Sequence, residues 1–105
     1  MRSGYWQDLT TTDFGRVDAE ATVALLPVAA VEQHGPHLPL STDALINGAL
    51  VRATLERAPA ATLLILPAQN VGLSPEHTSF AGTLSIRDTT LLEAWTDIGR
   101  SVART

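Results

Sequence analysis

Two short apolar runs restrict this chain more than any other feature. They are Val23-Ala24-Leu25-Leu26-Pro27-Val28 and Thr62-Leu63-Leu64-Ile65-Leu66, the second closed by Pro67. Neither alternates apolar with polar residues, and both are too short for a buried helix. Such a run suits a strand covered on both faces in a parallel sheet. Proline cannot donate to a strand ladder, so each strand should end near its proline. Between the runs, residues 29–42 read as a loop punctuated by Gly35, Pro36 and Pro39. Ser41-Thr42-Asp43 then looks like a helix start, and Leu45, Ile46, Ala49, Leu50 and Ala53 follow at helical spacing. This helix is predicted over 43–58, stopping near Arg57 because Pro59 disfavours helical geometry in the residue before it.

After the second run, residues 68–83 form a loop with Gly72, Pro75 and Gly82. A helix is predicted over 88–104. Asp88 or Thr90 could cap it, Thr90 with Glu93 fits a capping box, and Leu91, Trp95, Ile98 and Val102 form one stripe. On that spacing Trp95 belongs to the core rather than to a substrate platform. Ahead of the first run lie a few apolar anchors, Tyr5, Trp6, Leu9, Phe14 and Val17. Asp8 or the Thr10–Asp13 cluster could cap a short helix among them. Strand, helix, strand, helix is the grammar of an α/β fold, so 22–28 and 62–66 are expected to be parallel neighbours. A last helix with no stop signal and no following strand gives the unit the look of an incomplete one. The length of 105 residues accommodates one domain.

Composition narrows the chemistry. No cysteine is present, which excludes disulfides and thiolate metal sites. The seven basic residues are all arginine and the formal net charge is -4, so a nucleic-acid partner is not expected. The first residues lack the apolar centre of a signal peptide, and no run could span a bilayer. The default expectation is a cytoplasmic protein without a membrane partner.

The residues able to do chemistry gather in Glu32-Gln33-His34-Gly35-Pro36-His37-Leu38-Pro39-Leu40-Ser41-Thr42-Asp43. This block follows the carboxyl end of the first predicted strand, the edge at which open α/β sheets bind ligands. Glu32 and His34 are two residues apart, so in extended backbone both point to one side. Asp43 returns to the same edge. One imidazole and two carboxylates suit zinc or manganese. The plainer readings are a polar turn for the histidines and a helix cap for Asp43. His37 orients the loop, buttresses a ligand or is itself a ligand. His77, beside Glu76 on the later loop, lines a substrate pocket or is a surface residue. Gln33 hydrogen-bonds substrate or the loop backbone.

The stretch from Pro27 through Glu32-Gln33-His34-Gly35-Pro36-His37-Leu38-Pro39 to Asp43 resembles the signature of the creatininase family of amidohydrolases. Gly72-Leu73-Ser74-Pro75-Glu76-His77-Thr78-Ser79-Phe80-Ala81-Gly82-Thr83 resembles that family's second shared block, and the likeness runs from about Trp6 onward. It implies a layered α/β fold of creatininase type, of which residues 1–105 would be the amino-terminal part of a single domain. It also implies a centre of two metals, zinc or manganese, with Glu32 on one, His34 on the other and Asp43 bridging. The reaction implied is metal-assisted hydrolysis of an amide bond in a creatinine-like cyclic amide, a formamide or a peptide. Gln33 and His77 would then be substrate-binding candidates, and an intact protein would be a homo-oligomer. Two departures from the family pattern, Ala29-Ala30 for Gly-Ser and Phe80-Ala81 for Phe-Pro, touch loop shape more than metal chemistry. The family's remaining ligands, a His and a Glu, and its proton-transfer groups come from a block downstream of Thr105. The alternative is therefore a truncated, inactive metal-binding or interaction module.

Overall fold

The computed structural model describes residues 1–57 and 59–105. Its strands are β1 (Gly4–Tyr5), β2 (Thr22–Leu25) and β3 (Thr62–Ile65), and its helices are α1 (Thr42–Glu56) and α2 (Asp88–Ala103). Short 3-10 turns occupy Trp6–Asp8, Thr11–Arg16 and Pro75–His77. The sheet is parallel throughout, in the order β1-β3-β2. Thr22 to Leu25 pair in register with Thr62 to Ile65, so the two apolar runs are the parallel neighbours expected.

The strand order corrects one expectation. Only β3 is covered on both faces, with Leu63, Leu64, Ile65 and the following Leu66 all buried. β2 lies at an edge, and Val23 on it is 52% exposed. β1, which no periodicity announced, covers the other side of β3. Both long strands are also shorter than predicted, ending at Leu25 and Ile65 rather than at residues 28 and 66. The pairing does not stop there. Leu66 N–H donates to Leu25 O at 2.8 Å, and beyond Pro27 a parallel bridge joins Val28 to Gln69. The prolines lack an N–H and interrupt the ladder without parting the strands.

Helix α1 is where predicted but faces the other way. Leu45, Ile46 and Leu50 are 62%, 56% and 63% exposed. Ala44, Asn47, Gly48 and Val51, on the opposite side, are half-buried and line the space over Ile65 and Leu66. The helix carries apolar residues around most of its circumference, so spacing alone could not choose the inner side. The last position of the predicted span, Ala58, lies outside the described residues. Helix α2 keeps its predicted stripe, with Leu91 buried and Trp95, Ile98 and Val102 half-buried. Its start differs. Arg87 is the N-cap, and Thr90 lies inside the helix rather than capping it. Asp88 Oδ1 instead accepts the N–H of Thr89 at 2.7 Å. The end of α2, at Val102 and Ala103, borders Leu64 and Ala24. Successive strand residues point to opposite faces, so α1 over Ile65 and α2 near Leu64 cover the two sides of the sheet.

The amino-terminal segment follows its capping signal. Asp13 Oδ2 accepts from Thr10 N at 2.8 Å and from Thr10 Oγ1 at 2.7 Å, and Arg16 pairs with Asp13. Trp6 and Phe14 pack with ring centres 4.6 Å apart and planes tilted by 51°. The accessible surface is 7156 Å², against about 5,700 Å² for a compact monomer of this mass. The radius of gyration is 15.9 Å, against roughly 13 Å for a compact chain of this length. The fold is open, with a core centred on β3.

Candidate metal centre

Two loops leave the carboxyl edge of the sheet, one after β2 and one after β3, and they are stitched together. Ala29 N–H donates to Gln69 O at 3.0 Å and Gln69 N–H to Pro27 O at 2.9 Å. Further on, Leu84 N–H donates to Val31 O at 2.9 Å, and Gln33 N–H to Thr83 Oγ1 at 3.1 Å. Gly72 permits the approach, because a Cβ there would stand 2.6 Å from Ala29 O. Gly82 has φ of 89°, in the left-handed region, and packs under Leu40, whose Cδ1 would be 2.7 Å from an added Cβ. Helix α1 is tied to the first loop by Asn47, whose amide donates to Val28 O at 3.1 Å.

On this frame Glu32, His34 and Asp43 converge as expected. Each offers a ligand atom within 4.8 Å of the others. His34 Nδ1–H donates to Glu32 O at 3.0 Å, because a carbonyl can only accept. That bond assigns the tautomer of the neutral ring and leaves Nε2 bare, 3.3 Å from Asp43 Oδ1. Two acceptors facing one another at this distance require a proton or a cation between them. Two ligand atoms roughly 2.0–2.1 Å from a tetrahedral zinc lie about 3.3–3.4 Å apart. The donor set therefore fits the metal. The hydrogen bond to Glu32 O, seconded by the Asp43 carboxylate and opposed by partial desolvation, raises the His34 pKa above its ordinary value.

Asp43 sits in the first turn of α1, where the helix dipole favours a carboxylate. It does not act as a cap. Ser41 is the N-cap residue without a side-chain capping bond, and Thr42 Oγ1 donates to Pro39 O at 2.6 Å. The Asp43 carboxylate is thus available to a ligand role. His37 is exposed and belongs to neither group of potential ligands among the described residues.

A second such group, Glu32, Glu76 and His77, shares Glu32 with the first. His77 Nε2 lies 3.7 Å from Glu32 Oε2 and 3.7 Å from Glu76 Oε1. Its Nδ1 is 2.9 Å from Gln33 Nε2. Gln33 and His77 therefore contact each other at the edge of the candidate centre. Thr83, Gly72 and Asn47 support the site, but their roles depend on contacts across the loops. Gly72 and Thr83 did fall inside the second block singled out in the sequence.

Comparison with known proteins identifies the family. Residues 7–105 match the sequence model of the creatininase family, described as creatinine amidohydrolase. The mycofactocin precursor peptide peptidase of Mycobacterium tuberculosis (strain CDC 1551 / Oshkosh) is 42% identical over 86 residues, covering 75% of this chain and 34% of that protein. A solved structure titled "Creatininase Mn" superposes with a TM-score of 0.83 at 33% identity, covering 98% of this chain and 41% of that one. A mutant creatininase described as of Zn-Zn type gives a TM-score of 0.82 at 33% identity, over 99% of this chain and 42% of that one. The chain thus spans about a third to two fifths of the length of the proteins it matches. It belongs to the creatininase family and corresponds to the amino-terminal part of that fold.

Proposed function

We propose that this chain carries part of the divalent-metal centre of a hydrolase that cleaves carbon–nitrogen amide bonds. Glu32, His34 and Asp43 would hold divalent metal, zinc or manganese. The observation that carries this reading is His34 Nε2 facing Asp43 Oδ1 at 3.3 Å, with Glu32 beside them. When bound, the metals supply Lewis acidity and an activated water. The chain's own part is to orient these ligands. Glu32 O holds the imidazole ring, and the first turn of α1 presents Asp43.

The substrate is a cyclic amide, a formamide or a peptide, and a fold does not choose among them. A peptide is the first to test, since identity is 42% to a peptidase over 75% of this chain against 34% to a creatinine amidohydrolase over 98% of it. In this reading the remaining His and Glu ligands and the proton-transfer groups lie in the family's downstream block. The 105-residue chain is therefore expected to bind zinc weakly, and to lose that binding in His34→Ala. It should turn over peptides and cyclic amides poorly, and a chain extended through the family's full length should turn them over well. Robust metal-dependent turnover by the 105-residue chain would refute the need for the downstream block. Metal binding indifferent to His34→Ala would refute the ligand assignment. Zinc binding without turnover in the extended chain would favour an inactive metal-binding or interaction module.

A further inference from the structure

Glu32 belongs to two overlapping sets of potential ligands, and the hydrogen bonding of Gln33 distinguishes them. Gly35 N–H donates to Gln33 Oε1 at 3.0 Å, which fixes the orientation of the amide. Gln33 Nε2, a donor only, must then be the atom facing His77 Nδ1 at 2.9 Å. His77 Nδ1 accepts, so the proton of the neutral ring resides on Nε2. Nε2 lies 3.7 Å from Glu32 Oε2 and 3.7 Å from Glu76 Oε1. His34 is the mirror case, with its proton on Nδ1 and its Nε2 bare. One imidazole presents a lone pair to its carboxylate, and the other presents a hydrogen.

We propose that Gln33 locks His77 as an N–H donor, so that His77 is a positioning residue for Glu32 and the metal is confined to Glu32, His34 and Asp43. A His77 ring held this way has no free lone pair, and Glu32 with Glu76 cannot complete a site around it. Its N–H instead attracts Glu32 Oε2 and limits the swing of that carboxylate. Outer partners of this kind set the orientation of metal-binding groups and change affinity about ten- to a hundredfold when removed. The proposal rests on the metal-site reading above.

Exchanging Gln33 for Glu reverses the lock. A carboxylate can only accept, so His77 Nδ1 would carry the proton and Nε2 would become a bare ligand atom between Glu32 and Glu76. Two measurements test this in the 105-residue chain. The first is the ring ¹⁵N spectrum of the metal-free protein at a pH well above the ordinary imidazole range. It should show His77 protonated at Nε2 and His34 at Nδ1, with His77 changing to Nδ1 in Gln33→Glu. A His77 already protonated at Nδ1 in the unaltered chain overturns the proposal, whatever the metal does. The second is zinc affinity by calorimetry. His34→Ala should abolish measurable binding, and Gln33→Glu combined with His34→Ala should restore it by at least about tenfold. His77→Ala and His77→Asn should bind about ten- to a hundredfold more weakly than the unaltered chain. His77→Gln, which places an N–H where Nε2 stood, should recover most of that loss. Absence of restoration in the double variant, or equal affinity in all His77 variants, overturns the proposal. Zinc binding that survives His34→Ala alone overturns the metal-site reading and leaves the tautomer result standing.

Discussion

The two loops at the carboxyl edge of the sheet have similar material and different work. Each follows an apolar strand closed by a proline, and each carries a glutamate and a histidine within two residues of each other. The loop after β2 offers Glu32 and His34 and leads directly to Asp43. The loop after β3 offers its partner's backbone a set of hydrogen bonds, through Gln69, Thr83 and Leu84, and a close approach at Gly72. One loop presents the proposed ligand atoms and the other holds the presenting loop in place. The difference comes from what each imidazole hydrogen-bonds. His34 gives its Nδ1 proton to a carbonyl, whereas His77 Nδ1 accepts from an amide. The partner of one ring nitrogen sets which nitrogen is left for a metal.

The largest effect should separate the loops outright. His34→Ala or Asp43→Ala is expected to lower zinc affinity by more than about a hundredfold, beyond the range of an outer partner. His77→Ala is expected to stay within that range. Calorimetry that finds the two histidines equivalent would break the comparison.

Acidity should act next. A proton competes with metal for His34 Nε2, and the raised pKa of that group brings the competition in at a higher pH than for an ordinary imidazole. Zinc affinity of the unaltered chain should therefore fall with pH from above about 6.5, approaching tenfold per unit for one displaced proton. The sign is opposite for the metal-free fold. The stabilisation from protonated His34 is fully present below the unfolded value and is lost as pH rises through the raised folded value. A zinc affinity flat between pH 8 and pH 5.5 would contradict the assignment.

A smaller effect should come from the supporting loop with no ligand altered. Gly72→Ala places a Cβ 2.6 Å from Ala29 O, a backbone atom that cannot swing aside. Overpacking of this kind costs about 1–3 kcal/mol, read by denaturant unfolding. Zinc affinity should fall with it, because the loop after β2 is displaced. Affinity unchanged alongside lost stability would show that the first loop keeps its shape unaided.

The smallest effect should lie far from both loops. The hydrogen bonds from Thr10, with Arg16 adding to them, hold the Asp13 pKa below its usual value. A depressed carboxylate stabilises above its unfolded pKa, and that contribution is lost as pH falls through the folded one. Asp13→Asn should therefore lower stability slightly at neutral pH, converge with the unaltered chain in acid, and leave zinc affinity unchanged. A change in zinc affinity would mean that the sheet transmits strain from its amino-terminal cover to the site.

The sequence by itself determined what is local and repetitive. The proline-closed apolar runs identified two strands, and the Leu91, Trp95, Ile98 and Val102 spacing identified the inner face of α2. The Glu32 to Asp43 block identified the candidate ligands. These follow from backbone periodicity and from side-chain chemistry, which a residue carries wherever it is placed. The tertiary structure decided which strand lies in the middle, and so why Leu64 is buried while Val23 is exposed. It also turned α1 so that Ala44, Gly48 and Val51 face the sheet in place of Leu45 and Leu50. Small residues at that contact let the helix approach the sheet, and an apolar count weighs only side-chain hydrophobicity. It also brought each histidine ring to its hydrogen-bond partner. Each tautomer depends on a hydrogen bond whose direction appears only once the loops have folded onto one another.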